Sequence, residues 1–128
     1  MTGLAKYFSD EYFKELETRL NSDTKWQDGT KNLKTSLLLA ATDQSGGFSL
    51  VVENGKTTIQ RVEPSFQAEF AFEGPYEVWT RVARGELDFQ AAVLKGSLRF
   101  RGSITKILFY RDRFMRIAEV IREVPKEF

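Results

Sequence analysis

The chain has no cysteine and no histidine among its 128 residues. The absence of cysteine excludes disulfides, thiol nucleophiles and metal sites built on thiolates. The absence of histidine removes the side chain that most often serves as a general base near neutral pH. Catalysis would then depend on carboxylates, lysine or tyrosine, and we predict no catalytic residue, no metal site and no cofactor.

The chain also lacks a strong excess of charge and any long apolar run. Its formal net charge is +1, with 29% charged and 41% hydrophobic residues, so nothing indicates disorder or a nucleic-acid partner. No segment approaches the roughly 18 apolar residues that span a bilayer, and the N-terminus has no apolar run typical of a signal peptide. We therefore predict a single cytoplasmic domain over residues 1–128.

Phenylalanine is the residue type in excess, with 11 Phe against 4 Tyr and 2 Trp. A phenylalanine ring has no polar group, so it belongs in an interior or along the wall of an apolar pocket. This bias favours a hydrophobic ligand over a polar one.

Two helices are predicted before the first strand. Ser9 is a suitable N-cap for a helix whose apolar face contains Tyr12, Phe13, Leu16 and Leu20. Residues 21–23 end that helix and cap a second one near residues 24–32.

Four β-strands are predicted at 33–42, 48–54, 56–63 and 66–73, because these stretches are rich in β-branched and aromatic residues. Asn54-Gly55 is typical of a type I′ hairpin turn, and we interpret the four strands as an antiparallel meander. Alternation gives one apolar and one polar face, so we expect one covered and one solvated side. The apolar positions are Phe48, Leu50, Val52, Phe66, Ala68, Phe70 and Phe72.

Two short helices and an edge strand follow. Gly74-Pro75 opens a helix that ends before Gly85, and Asp88 caps another that ends at Gly96. Residues 98–102 alternate, with Leu98 and Phe100 inward and Arg99 and Arg101 outward.

The last helix is unusually apolar. Ser103 is its predicted cap, and no proline or glycine interrupts the chain from 104 to 123. Apolar residues occupy roughly half of its circumference, wider than the stripe of an ordinary surface helix. Such a helix needs more than one apolar neighbour, either further protein or a bound hydrocarbon.

The second half of the chain contains an ordered set of glycines and apolar residues: Trp79-x5-Gly85, Phe89-x2-Ala92, Lys95-Gly96-x-Leu98-x-Phe100-x-Gly102 and the helix that follows. This pattern resembles the sterol carrier protein-2 (SCP-2) family of lipid-binding domains. It implies an α+β fold with a five-stranded, mostly antiparallel sheet, helices packed on one face, and an apolar tunnel between them. It also implies non-catalytic binding or transfer of a fatty acid, fatty acyl-CoA, sterol-like or isoprenoid lipid.

The candidate ligand-binding residues come from this resemblance and from two polar groups near it. By position, the tunnel-lining residues would be Trp79, Val82, Phe89, Val93, Phe100, Ile104, Ile107, Leu108 and Phe114. The Tyr110 hydroxyl is a candidate for the pocket mouth. Arg111 either pairs with a lipid carboxylate or extends along the apolar surface to water.

Other functions stay open at this stage. One is a small α+β enzyme of the isomerase or cyclase type acting on an apolar substrate, and another is an interaction domain that uses the last helix to form a homodimer. The protein is therefore either a monomer or a homodimer. The arginines at 81, 84, 99 and 101 either contact lipid headgroups during a transient membrane contact or form a solvated face.

Overall fold

The computed structural model describes residues 4–63 and 65–128, which form six helices and five strands. In chain order they are α1 (Asp10–Ser22), α2 (Thr24–Thr30), β1 (Lys34–Ala41), β2 (Gly47–Glu53), β3 (Lys56–Val62), β4 (Phe70–Gly74), α3 (Tyr76–Ala83), α4 (Phe89–Leu94), β5 (Arg99–Arg101), α5 (Ile104–Phe109) and α6 (Arg111–Glu123). Within these described stretches, no helix combines the length and the apolar character needed to cross a membrane.

The predicted helix starts are confirmed by their caps. The side chains of Ser9, Asp23, Asp88 and Ser103 each accept a hydrogen bond from a backbone N–H in the first turn that follows. Each cap satisfies one of the donors that the start of a helix leaves without a partner inside the helix.

The sheet is mixed, with strand order β3-β2-β1-β4-β5. Strands β1, β2 and β3 form the predicted antiparallel meander, but β4 pairs parallel with β1, so the four-strand meander is wrong. Strand β5 pairs antiparallel with β4 at the edge. The apolar alternation of β4 would fit beside β3 or beside β1. Only contacts between residues far apart in the chain decide that β4 pairs with β1.

The strand predicted at residues 66–73 begins later in the structure, at Phe70. Phe66 and Ala68, predicted on the inner face of a strand, precede β4, which begins at Phe70. In this connection the Glu69 N–H donates to the Ser36 hydroxyl at 2.9 Å instead of to a neighbouring strand. Residues 66–69 therefore have the composition of a strand without its backbone pairing.

The inner face of the sheet carries the main core. Leu37, Leu39, Leu50, Phe70 and Phe72 are all buried there, and the buried faces of the helices complete the same cluster. Two indole N–H groups fasten helices to strands: Trp26 donates to the Thr57 hydroxyl at 2.8 Å and Trp79 to the Ala40 carbonyl at 2.9 Å. The polar atoms of these large rings are thus satisfied inside the core.

The outer face is not wholly solvated, contrary to the expectation. Leu38, Ala40 and Ala71 are buried on this side, with Val62 and Ala68 packed against them. The continuous apolar run Leu37–Ala41 reflects burial on both faces, which is typical of a central strand with a parallel neighbour.

Helix α1 protects the free edge of β3. The Asn21 amide donates to the Thr57 carbonyl and its oxygen accepts from the Thr57 N–H, both at 2.8 Å. Glu17 accepts from the Ile59 N–H at 2.6 Å. These bonds replace the partner strand that an edge otherwise leaves missing.

The predicted long helix is two helices. Tyr110, with φ −93° and ψ 5°, departs from helical geometry, so α5 ends before it and α6 begins after it. Its ring packs against Phe70 and Phe114, with centroids 6.4 and 5.8 Å apart, and this packing holds the break in place. No proline or glycine marks the break, so periodicity could not reveal it.

A partly buried ion pair joins α2 to α6. Both carboxylate oxygens of Asp23 accept from the Arg116 guanidinium, at 2.6 and 3.0 Å, while one also caps α2 by accepting from the Trp26 N–H at 2.8 Å. The pair therefore fixes α6 to the start of α2, while the buried residues of α6 pack over the sheet.

We expect Asp23→Ala to lower the free energy of unfolding by roughly 2–3 kcal/mol, between the cost of a lost cap and that of a broken buried pair. Urea unfolding followed by circular dichroism measures this. The control is Glu15→Ala, which removes the exposed pair with Arg19 and should cost less than about 1 kcal/mol. Equal losses for the two variants would contradict the importance of Asp23.

The same pair predicts a pH dependence. The hydrogen bond from Arg116 holds the pKa of Asp23 below its ordinary value of 3.8. Its stabilisation is therefore fully present above pH 3.8 and is lost as the pH falls through the lower pKa of the folded state. The difference in unfolding free energy between wild type and Asp23→Asn should shrink as the pH falls below 3.8. A constant difference would show that the charge of Asp23 does not contribute.

Candidate functional site

An apolar groove with a volume of about 150 Å³ lies between α4, β5, α5 and the first turns of α6. Phe72 and Phe100 form its floor on the sheet, since their rings lie 5.3 Å apart on paired strands. The lining residues are Phe72, Phe89, Gln90, Val93, Leu94, Phe100, Ile104, Ile107, Leu108, Arg111, Phe114 and Met115.

Most of the residues proposed from the sequence lie around this groove. They are Phe89, Val93, Phe100, Ile104, Ile107, Leu108, Arg111 and Phe114. The structure thus brings together residues from four elements that the sequence separates, and contact with a ligand stays a prediction for each of them.

Three proposed residues lie outside the groove. Trp79 and Val82 are fully buried in the main core, where α3 packs on the sheet. Tyr110 is partly buried and turns its ring toward Phe70 and Phe114. Trp79 and Val82 were matched by position to tunnel-lining residues, and such a match does not show how deeply a side chain is buried. Contact with a ligand stays a prediction for all three residues.

Four lining residues had not been proposed: Phe72, Gln90, Leu94 and Met115. The sequence could have indicated Phe72 from the apolar alternation of β4, and Met115 from the apolar face of the last helix. Gln90 and Leu94 are neighbours of proposed residues on α4, but a six-residue helix has too few turns for a clear apolar face.

The mouth of the groove is apolar as well as its walls. The exposed fraction is 79% for Leu94, 61% for Ile104 and 58% for Leu108. No residue of α5 is fully buried, and the partly buried Ile107 packs against the core, so this helix lies at the border between the core and the groove. Singly exposed leucines are ordinary, but several around one groove mark a binding surface.

A second, smaller apolar space of about 20 Å³, called the inner space below, adjoins the groove. Phe72, Phe89 and Phe114 line both spaces, and Trp79 borders the inner one. At this size the inner space has room for little more than a water molecule. The apolar tunnel implied by the resemblance therefore stays a prediction, and what the structure contains is a groove open to solvent.

The rim of the groove carries charge. Arg111 is the one charged residue of the lining, and the nearest carboxylate to it is that of Asp112, at 3.8 Å. On the opposite side of α5, Lys106 pairs with Glu69 at 3.0 Å. A hydrogen bond from the Thr35 hydroxyl, together with the Lys106 ammonium, holds the pKa of Glu69 below its ordinary value. Glu69 is therefore ionised at neutral pH.

The groove offers shape and apolar surface but few reactive groups. Its lining among the described residues includes no carboxylate, lysine or tyrosine. Elsewhere in residues 4–63 and 65–128, no group of three or more His, Cys, Asp or Glu side chains could hold a metal ion. The arrangement can hold a hydrophobic chain and place one guanidinium beside it.

Known structures share this fold. A crystal structure of sterol carrier protein 2 is 23% identical, covers 93% of this chain and 99% of its own, and superimposes with a TM-score of 0.82. A Thermus thermophilus protein described as possibly a sterol carrier protein is 21% identical, with coverage of 99% and 94% and a TM-score of 0.82. UbiJ-SCP2, a ubiquinone synthesis protein, is 17% identical, with coverage of 86% and 87% and a TM-score of 0.60.

Sequence comparison gives the family. No curated protein sequence matches this chain. The family model of the SCP-2 sterol transfer family matches residues 13–112, which include the whole sheet and all but two of the groove-lining residues. The chain therefore belongs to the SCP-2 sterol transfer family.

Proposed function

We propose that this protein is a non-catalytic carrier that binds the hydrocarbon chain of a lipid in the groove between α4, α5 and β5. The observation that supports this most is the groove itself, whose walls and mouth are both apolar. Membership of the SCP-2 sterol transfer family supports the same class of ligand.

Burial of exposed leucine and isoleucine side chains supplies the binding energy. Burying apolar surface yields about 25 cal/mol per Å², so that covering one exposed leucine fully is worth roughly 1.5–3 kcal/mol. Leu94, Ile104 and Leu108 are available for this because they are exposed around one groove. A bound chain would cover them together.

Arg111 favours an acidic lipid. Its guanidinium lines the groove and is about half exposed, and the Asp112 carboxylate beside it lies 3.8 Å away. A guanidinium can hold a carboxylate or phosphate through two parallel hydrogen bonds. We infer that a fatty acid or fatty acyl-CoA lies with its chain in the groove and its anionic head at Arg111.

A long chain needs more room than the groove now provides. Pockets for small molecules usually enclose about 300–1,000 Å³, against about 150 Å³ here. Helix α5 has no fully buried residue, and its Lys106–Glu69 pair is largely exposed, so outward movement of α5 disrupts chiefly the packing of the partly buried Ile107. We infer that α5 moves away from α4 as the chain enters.

Leu108→Glu should lower the affinity for a long-chain fatty acid by roughly 10-fold or more, because it removes apolar contact and places a charge in the groove. Titration with a fluorescent fatty acid measures this. The control is Leu4→Glu, since Leu4 is exposed to 56% against 58% for Leu108 and lies outside the groove. Saturable binding that Leu108→Glu leaves unchanged would contradict the proposed site.

Arg111→Ala should weaken binding of a fatty acid by about 10-fold, the usual worth of a hydrogen bond to a charged group. Binding of the alcohol with the same chain should be unchanged. Arg122→Ala, an exposed arginine on the same helix outside the groove, is the control. Competition against the fluorescent ligand measures both affinities, and equal losses for acid and alcohol would exclude a role for Arg111 in holding the head.

A further inference from the structure

The groove and the inner space share a wall of three phenylalanine rings. Phe72, Phe89 and Phe114 line both spaces, and the ring centroids of Phe72 and Phe89 lie 5.0 Å apart. The remaining residues around the inner space are all apolar: Leu37, Leu39, Trp79, Ile117, Ala118 and Ile121. The wall therefore divides one apolar region into an outer groove and a small inner space.

The core fixes two of these three rings. Phe72 is buried on β4, where it lies between Leu39 of β1 and Phe100 of β5. Phe114 is buried on α6 and packs against Phe70, with ring centroids 5.7 Å apart. Because interiors are closely packed, moving either ring would disturb the main core.

Phe89 is held less firmly than the other two. It is the first residue of α4, a helix of six residues in which only Ala92 is fully buried. Its own side chain is partly buried, and its ring lies 6.3 Å from that of Trp79 between centroids. Phe89 is therefore the ring of the wall that can be displaced or replaced at the least cost to the core.

The wall closes the inner end of the groove. A volume of about 150 Å³ is that of an apolar cavity that holds one benzene molecule. Outward movement of α5 widens the groove on its solvent side but leaves Phe89 in place, because Phe89 lies on α4. A chain that is held by its head at Arg111 on the rim and extends inward therefore meets the wall.

We propose that the Phe89 ring sets the length of acyl chain that the protein binds most tightly. With the ring in place, methylenes beyond those that fill the groove stay in water and add nothing to the affinity. Without the ring, the groove and the inner space join, and the chain continues toward Trp79. This inference rests on the proposed function, to which it adds selection by chain length.

The test is a competition series against a fluorescent fatty acid, with the even-numbered saturated acids from hexanoic to octadecanoic acid. In wild type the affinity should rise about fourfold for each added methylene, the worth of one buried CH₂, until the chain reaches Phe89, and should then stay constant. In Phe89→Ala it should rise for about two methylenes more, so that octadecanoic acid binds roughly 10-fold more tightly than it binds wild type.

Further variants show whether the size of this one side chain decides the result. Phe89→Leu should extend the limiting chain length less than Phe89→Ala does, and the larger ring in Phe89→Trp should shorten it. Leu94→Ala is the control, because Leu94 lies on the same helix and lines the groove but not the inner space. It should weaken every acid by one common factor. Partial unfolding also weakens binding, so it cannot produce the tighter binding expected of Phe89→Ala.

The possible results separate this inference from the proposed function. The same limiting length in wild type and Phe89→Ala, or an equal weakening of every acid, would overturn the role of Phe89 and leave the carrier function standing. A wild-type affinity that still rises at octadecanoic acid would overturn it as well. If no acid competes for either protein, the proposed function fails, and the inference fails with it.

Discussion

The parallel pairing of β1 with β4 determines how the rest of the sheet and its helices are placed. It makes β1 the central strand, flanked by β2 and β4, and places Phe70 beside Leu37 and Phe72 beside Leu39 on the inner face. A parallel pair requires a crossover, and Ala68, in the connection that leads into β4, packs on the outer face against Leu38, Ala40 and Ala71. Burial on both faces makes this the best-protected part of the sheet.

The two edges of the sheet differ, and the difference locates the groove. At the β3 edge, α1 supplies side-chain partners to the backbone of Thr57 and Ile59. At the other edge, β5 is only three residues long, and α4 and α5 flank it without burying it fully. The firmly packed edge supports the core, and the loosely covered edge leaves apolar side chains available to a ligand. The firmly packed edge and the apolar groove thus lie at opposite edges of the sheet.

The break at Tyr110 lies between the helix that packs on the core and the helix that borders the groove. Helix α6 packs over the core and is tied to α2 through Arg116 and Asp23. Helix α5 contributes Ile104, Ile107 and Leu108 to the groove and has no fully buried residue. A continuous helix would have to keep one direction for both sets of contacts. Two helices allow the first to move while the second stays fixed, which is the behaviour that the proposed uptake of a lipid requires.

Local patterns in the sequence predicted local structure well. The caps at Ser9, Asp23, Asp88 and Ser103 located the helix starts, since capping depends on residues only a few positions apart. The motif around Phe89, Phe100 and the last helix led to the correct family and to most of the groove lining. Trp79 and Val82, assigned to the same lining, are buried in the core, and their contact with a ligand stays a prediction.

The sequence alone thus determined the α+β class, the family and the capped helix starts, because each depends on residue types at short spacings. The tertiary structure decided that β4 joins β1, that the last helix divides at Tyr110, and that the apolar space opens to solvent between α4 and α5. These features depend on contacts between residues far apart in the chain. Periodicity and composition contain no distances between such residues, so only the folded chain specifies them.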